Sequence, residues 1–95
     1  LPLGEHRVLY SDLDVVGHVN NVKYIEWSLD ALYAKNSHPG DIKTMEINYM
    51  KESSGNDTIE LQMATPDQQS IMIRGLKNNE KTICFICRFM LQKTQ

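Results

Sequence analysis

Between Asn20 and Ala34 the apolar residues Val22, Ile25, Leu29 and Leu32 keep helical spacing, and Tyr24, Trp27, Ala31 and Ala34 form a second stripe beside them. This is an amphipathic helix with an unusually wide apolar face. Only Lys23, Glu26, Ser28 and Asp30 are left for its polar side, so most of its circumference is expected to be covered by protein. A sheet that curves around the helix meets that demand. Asn36-Ser37-His38-Pro39-Gly40 ends the pattern, placing proline and glycine just past the last turn.

Outside this segment the period changes to two. Glu5 to Tyr10 carries Val8 and Tyr10 on alternate positions and reads as a first strand that ends in the polar run Ser11-Asp12-Leu13-Asp14. Met45, Ile47 and Tyr49 alternate with Thr44, Glu46 and Asn48, and Ile59, Leu61 and Met63 alternate with Glu60 and Gln62. The connection Glu52-Ser53-Ser54-Gly55-Asn56-Asp57 is rich in turn residues and predicts a hairpin between those two strands. Ser70 to Leu76 and Thr82 to Leu91 read as two more, joined at Lys77-Asn78-Asn79-Glu80. The expected layout is α+β: strand, helix, then four strands in antiparallel succession, with the helix packed on the sheet.

The chain has 95 residues, 41% hydrophobic and 23% charged, which suits one small globular domain spanning residues 1–95 and leaves no room for a second core. A formal charge of -2 without a basic cluster argues against nucleic acid as a partner. The apolar runs are far shorter than the roughly 20 residues a membrane-spanning helix needs. The opening Leu1-Pro2-Leu3-Gly4-Glu5 has neither the basic nor the apolar region of a secretory signal, and a cytoplasmic location is expected. Starting without Met, the chain is also expected to be an excised domain or a processed product.

Cys84 and Cys87 are the two cysteines. No second Cys or His pair stands nearby to complete a metal site, and on a strand residues three apart point to opposite faces. They read as small buried hydrophobes in a reduced compartment, with no metal or cofactor implied.

The chemistry lies in the lead-in to the helix, Asp14-Val15-Val16-Gly17-His18-Val19-Asn20-Asn21. Gly17 allows a sharp bend and close approach by a ligand. The first helical N–H groups lack intrahelical partners and sit at the positive end of the helix dipole, so they can receive an oxyanion. Asp14 and His18 flank that spot and can orient or deprotonate a water. Each residue also has an ordinary structural role. Asp12 or Asp14 can bond its own loop, His18 can pack under the helix, Asn20 or Asn21 can cap it, and Glu52 can be a solvated turn charge.

The ordered combination Asp-x-x-Gly-His-Val-Asn-Asn-x-x-Tyr, followed by an aromatic-rich helix and antiparallel strands, resembles the hotdog-fold thioesterases. More narrowly, Tyr10-Ser11-Asp12-Leu13-Asp14 with His18 to Trp27, and then Met45 to Ser53, is similar to the catalytic hotdog half of the acyl-acyl-carrier-protein thioesterases of bacteria and plants. The resemblance implies one long central helix wrapped by a curved antiparallel sheet of about five strands. It implies hydrolysis of a fatty-acyl thioester of acyl-carrier protein, or of CoA, to a free acid and a thiol.

Residue by residue, the resemblance makes Asp14 and His18 catalytic and Glu52 the base acting on water, with Val16, Gly17, Val19 and Asn20 around the substrate carbonyl. Val16 stands where the family usually has asparagine and offers no side-chain donor. Either backbone amides from Gly17 to Val19 then suffice, or activity is weakened. Ser53 stands where plant members have cysteine, and a serine in a polar turn would still need an activating base. The alternative is a non-catalytic module that binds acyl chains or a carrier protein. Because a lone sheet leaves edge strands unpaired, a homo-oligomer or pairing with a second hotdog domain is expected.

Overall fold

The structure is a computed structural model and describes residues 2–34, 42–77 and 82–91. The proposed helix stop at Asn36 to Gly40 and most of the turn after Lys77 lie outside those residues. Five strands form one antiparallel sheet: β1 (Pro2–Arg7), β2 (Ile42–Tyr49), β3 (Thr58–Asp67), β4 (Ser70–Lys77) and β5 (Thr82–Leu91). One helix, α1 (Asn21–Ala34), packs against it. The spatial order is β1-β3-β4-β5-β2. Phe85, Cys87 and Phe89 of β5, Ile71 and Ile73 of β4, and Ile59 and Leu61 of β3 form a buried layer under Tyr24, Trp27 and Leu32 of α1.

Two expectations about connectivity are corrected. The first strand is Pro2–Arg7 and stops short of Tyr10, because the Asp12 carboxylate accepts the Leu9 N–H at 2.8 Å and winds Tyr10–Asp12 into a single 3-10 turn. The segment from Glu52 to Asp57 does not close a hairpin. β2 pairs with β5 at one edge of the sheet, whereas β3 lies between β1 and β4, so β2 and β3 are not neighbours. The turn residues serve a crossing instead. Asn56 takes φ 71°, the Ser54 N–H donates to Asp57 Oδ2 at 2.9 Å, and the Val19 N–H donates to the Ser53 carbonyl at 2.8 Å. The crossing is thereby tied to the loop that leads into α1.

Coverage of the helix is one-sided within this chain. Tyr24, Trp27, Ser28 and Leu32 are buried, whereas Val22 and Tyr33 are 56% and 73% exposed. Ser28, counted by pattern among the polar face, is fully buried because its hydroxyl donates to the Tyr24 carbonyl one turn back, at 2.8 Å.

The cysteines do not face opposite ways in the manner simple alternation predicts. Gly75 pairs with Phe85 and Leu76 with Ile83, so Cys84 is the extra residue of a bulge. Both thiols join the same buried cluster and both are free. Burial pushes the Cys87 thiol up to about 11 and raises Cys84 as well, so both stay protonated and act as small hydrophobes.

Candidate active site

The segment from Asp12 to Asn20 folds back on itself before α1 begins. The Asn20 N–H donates to the Asp12 carbonyl at 2.8 Å, Leu13 bridges Val19, and the Asp14 N–H donates to the His18 carbonyl at 2.8 Å. At the tip Gly17 has φ 84°, a conformation that favours glycine, and its N–H closes the turn onto the Asp14 carbonyl at 3.0 Å. The Asp14 carboxylate holds this tip from within: Oδ1 accepts the Val16 and His18 N–H groups at 3.0 and 3.1 Å.

The crossing segment comes alongside. His18 bridges Ser54, and the neighbouring Glu52 places Oε2 3.3 Å from His18 Nε2. Asp14 and His18 of one loop and Glu52 of the distant crossing segment therefore meet on one cavity of about 330 Å³. Val19 also lines it. Glu52 is 75% exposed, so it sits on the rim rather than in an apolar interior.

Val16, Gly17 and Asn20 do not reach that wall. Val16 lies on the outside of the tip and is 69% exposed. Gly17 contributes the turn. Asn20 is occupied as the helix cap, its Oδ1 accepting the Val22 N–H at 3.1 Å. The amides from Gly17 to Val19 are also committed, to the Asp14 carbonyl, Asp14 Oδ1 and the Ser53 carbonyl respectively. They are not waiting for an oxyanion. Among the described residues none accepts a hydrogen bond from the Asn21 N–H, the first of α1, and Asn21 lines the cavity.

Five wall residues lie outside the predicted set of site residues: Asn21, Tyr24, Tyr49, Met50 and Lys51. Tyr24 is buried and its ring tilts over Phe85 at 4.8 Å and Tyr49 at 5.9 Å. Burial raises the pKa of both tyrosines, so their hydroxyls remain donors. The Tyr49 hydroxyl donates to the Asn21 carbonyl at 3.4 Å, linking β2 to the first turn of α1. Apolar periodicity hides such residues because an aromatic ring at a core position also counts towards the core. Ser53 is buried, and among the described residues its Oγ has no well-formed hydrogen bond.

A single helix on a five-stranded antiparallel sheet, with a histidine and carboxylates gathered beside the helix N-terminus, is the architecture of the hotdog fold. The comparisons narrow this. Residues 3–94 match the model of the acyl-ACP thioesterase C-terminal domain, and the chain belongs to that family. Over 50 residues it is 42% identical to the chloroplastic palmitoyl-acyl carrier protein thioesterase of Arabidopsis thaliana, a stretch covering 53% of this chain and 12% of that protein. The fold superposes on an acyl-ACP thioesterase from Bacteroides thetaiotaomicron with a TM-score of 0.85 at 24% identity, covering 97% of this chain and 37% of the other. A Staphylococcus aureus protein solved in complex with CoA also gives a TM-score of 0.85, at 14% identity over 98% of this chain and 76% of that one. The chain thus spans only about a third of the Bacteroides thioesterase and aligns with a small part of the plant one.

Proposed function

We propose that this domain hydrolyses fatty-acyl thioesters with a water activated by Glu52. The observation that carries the reading is the 3.3 Å contact between His18 Nε2 and Glu52 Oε2 on the cavity that Asp14 also lines. Glu52 takes a proton from water as the water oxygen bonds to the acyl carbon. The tetrahedral intermediate then expels the thiolate, the C–S bond breaks, and the proton returns from Glu52 to sulfur. His18 orients the carboxylate, and Asp14 holds the tip that presents His18. The Asn21 N–H is the candidate donor to the developing oxyanion, in place of a side chain at position 16. No covalent enzyme intermediate is needed, because a thioester is already an activated carbonyl.

The substrate we favour is an acyl-carrier-protein thioester, supported by family membership, with acyl-CoA as the second choice. Turnover on matched acyl-carrier-protein and acyl-CoA panels decides between them. Hydrolysis of neither, with retained binding of acyl-carrier protein or fatty acid, would replace the enzyme by a non-catalytic binding module. One observation favours that second reading: the Val16 side chain supplies no hydrogen-bond donor.

We further propose that the domain works paired with a second hotdog domain, in a homo-oligomer or in tandem. β2 is an edge strand, and Ile42, Met45 and Tyr49 along it are exposed together with Val22 and Tyr33 of α1. A chain that sediments as a monomer at micromolar concentration would exclude the homo-oligomer.

A further inference from the structure

Away from the cavity a second histidine and carboxylate are paired. His6 Nε2 lies 2.9 Å from Asp12 Oδ2, the same oxygen that accepts the Leu9 N–H. The Asp12 side chain is only 7% exposed. Burial opposes its charge, yet the hydrogen bonds from His6 and Leu9 and the nearby positive charge hold its carboxyl below the usual range. An ionised carboxylate only accepts, so Nε2 of His6 is the donor. The imidazole is stacked on Trp27, with ring centroids 4.1 Å apart and planes 25° apart. His6 therefore touches three parts of the fold at once: β1, on which it stands, the Trp27 ring of α1, and the base of the loop carrying Asp14 and His18. Asp12 also closes that loop, since its carbonyl accepts the Asn20 N–H.

We infer that His6 and Asp12 are a positioning pair, which fixes the angle at which the Asp12 to Asn20 loop leaves β1 and so places His18 against Glu52. Neither residue touches the reacting atoms. The inference rests on the proposed hydrolysis for its kinetic readout and is independent of it for its structural one.

Three proteins separate the contributions: the 95-residue chain, His6→Phe and His6→Gln. Phenylalanine keeps a ring on Trp27 and removes the donor; glutamine places an amide N–H near the position of Nε2 and removes the ring. The expected result is that His6→Phe loses about tenfold or more in kcat with KM nearly unchanged, while His6→Gln stays within about threefold of the parent. Hydrogen exchange at the Asp14 and His18 amides should accelerate in His6→Phe and remain slow in His6→Gln. Parent-like kcat and exchange in His6→Phe would overturn the pair, as would equal losses in both variants. If the parent chain hydrolyses no thioester, the proposed function fails, and the exchange comparison still decides on the pair.

Discussion

His18 Nε2 and Glu52 Oε2 face each other at 3.3 Å from two loops that are joined backbone to backbone, by the Val19 N–H to the Ser53 carbonyl and by the bridge from His18 to Ser54. The contact itself is exposed and contributes little stability. Its geometry, inherited from the buried Val19 and Ser53 beneath it, is what the proposed hydrolysis depends on. Glu52→Gln should therefore unfold like the parent, within about 0.5 kcal/mol in urea, because it is a surface substitution. Thioester turnover should fall by about two to four orders of magnitude, the usual share of a general base. Unchanged turnover would remove Glu52 from the mechanism.

Asp14 has two separable duties. Its Oδ1 organises the tip by accepting two amides, and its charge faces the cavity. Asp14→Asn keeps an acceptor and loses the charge; Asp14→Ala loses both. Alanine is expected to destabilise the chain by about 1–2 kcal/mol for the lost hydrogen bonds, while asparagine stays close to the parent. Both should lose activity. If asparagine kept full turnover, the role of Asp14 would be to shape the tip alone.

Periodicity was enough to read the helix, since Asn21–Ala34 is bounded by a cap and carries its apolar stripes at regular spacing. β4 and β5 were legible for the same reason. Strand pairing was not. A turn-rich segment between two alternating strands looks identical whether it closes a hairpin or crosses the sheet, and the choice is made by long-range bonds such as Val19 N–H to Ser53. The site divided in the same way. Asp14, His18 and Glu52 were singled out by the resemblance to the family, whereas Asn21 and Tyr49 line the same cavity through the meeting of α1 with β2. The bulge at Cys84 left no mark in composition, so alternation misjudged which way that thiol points.

Val16 is the position at which resemblance and geometry disagree. The family usually places an asparagine there, but this side chain stands outside the tip and is not part of the cavity wall. Val16→Asn should change stability by less than about 0.5 kcal/mol. Since the proposed oxyanion donor is the Asn21 amide, turnover should change by less than about threefold. A gain of about a hundredfold would instead be the signature of a restored donor, and would favour the binding-module reading for the parent chain.

Gly75 is required by space rather than by backbone angle. A Cβ there would meet the Phe85 ring and lie 2.8 Å from Ile59 Cγ2, both fully buried. Phe85 in turn supports Tyr24 on the cavity wall. Gly75→Ala should cost about 1–3 kcal/mol by overpacking. The midpoint of urea unfolding measures this, and a parent-like midpoint would mean that the sheet relaxes around the methyl group.

Asp12 sets an acid limit on the fold. Its carboxyl titrates below the ordinary aspartate value of 3.8 in the folded chain, where His6 and Leu9 hydrogen-bond the ionised form, and returns to that value on unfolding. A lowered folded pKa means that the unfolded chain takes up the proton first as pH falls. The stabilisation from Asp12 is thus present above about pH 4 and is lost through the interval between the unfolded and folded values. Other carboxylates titrate in the same range, so the informative quantity is the stability difference between the parent and Asp12→Asn. That difference, taken from urea unfolding at successive pH values, should be constant near neutrality and shrink as the pH drops below 3.8. A difference that stays constant or widens in acid would show that the buried carboxylate is not held in its charged form by His6 and Leu9.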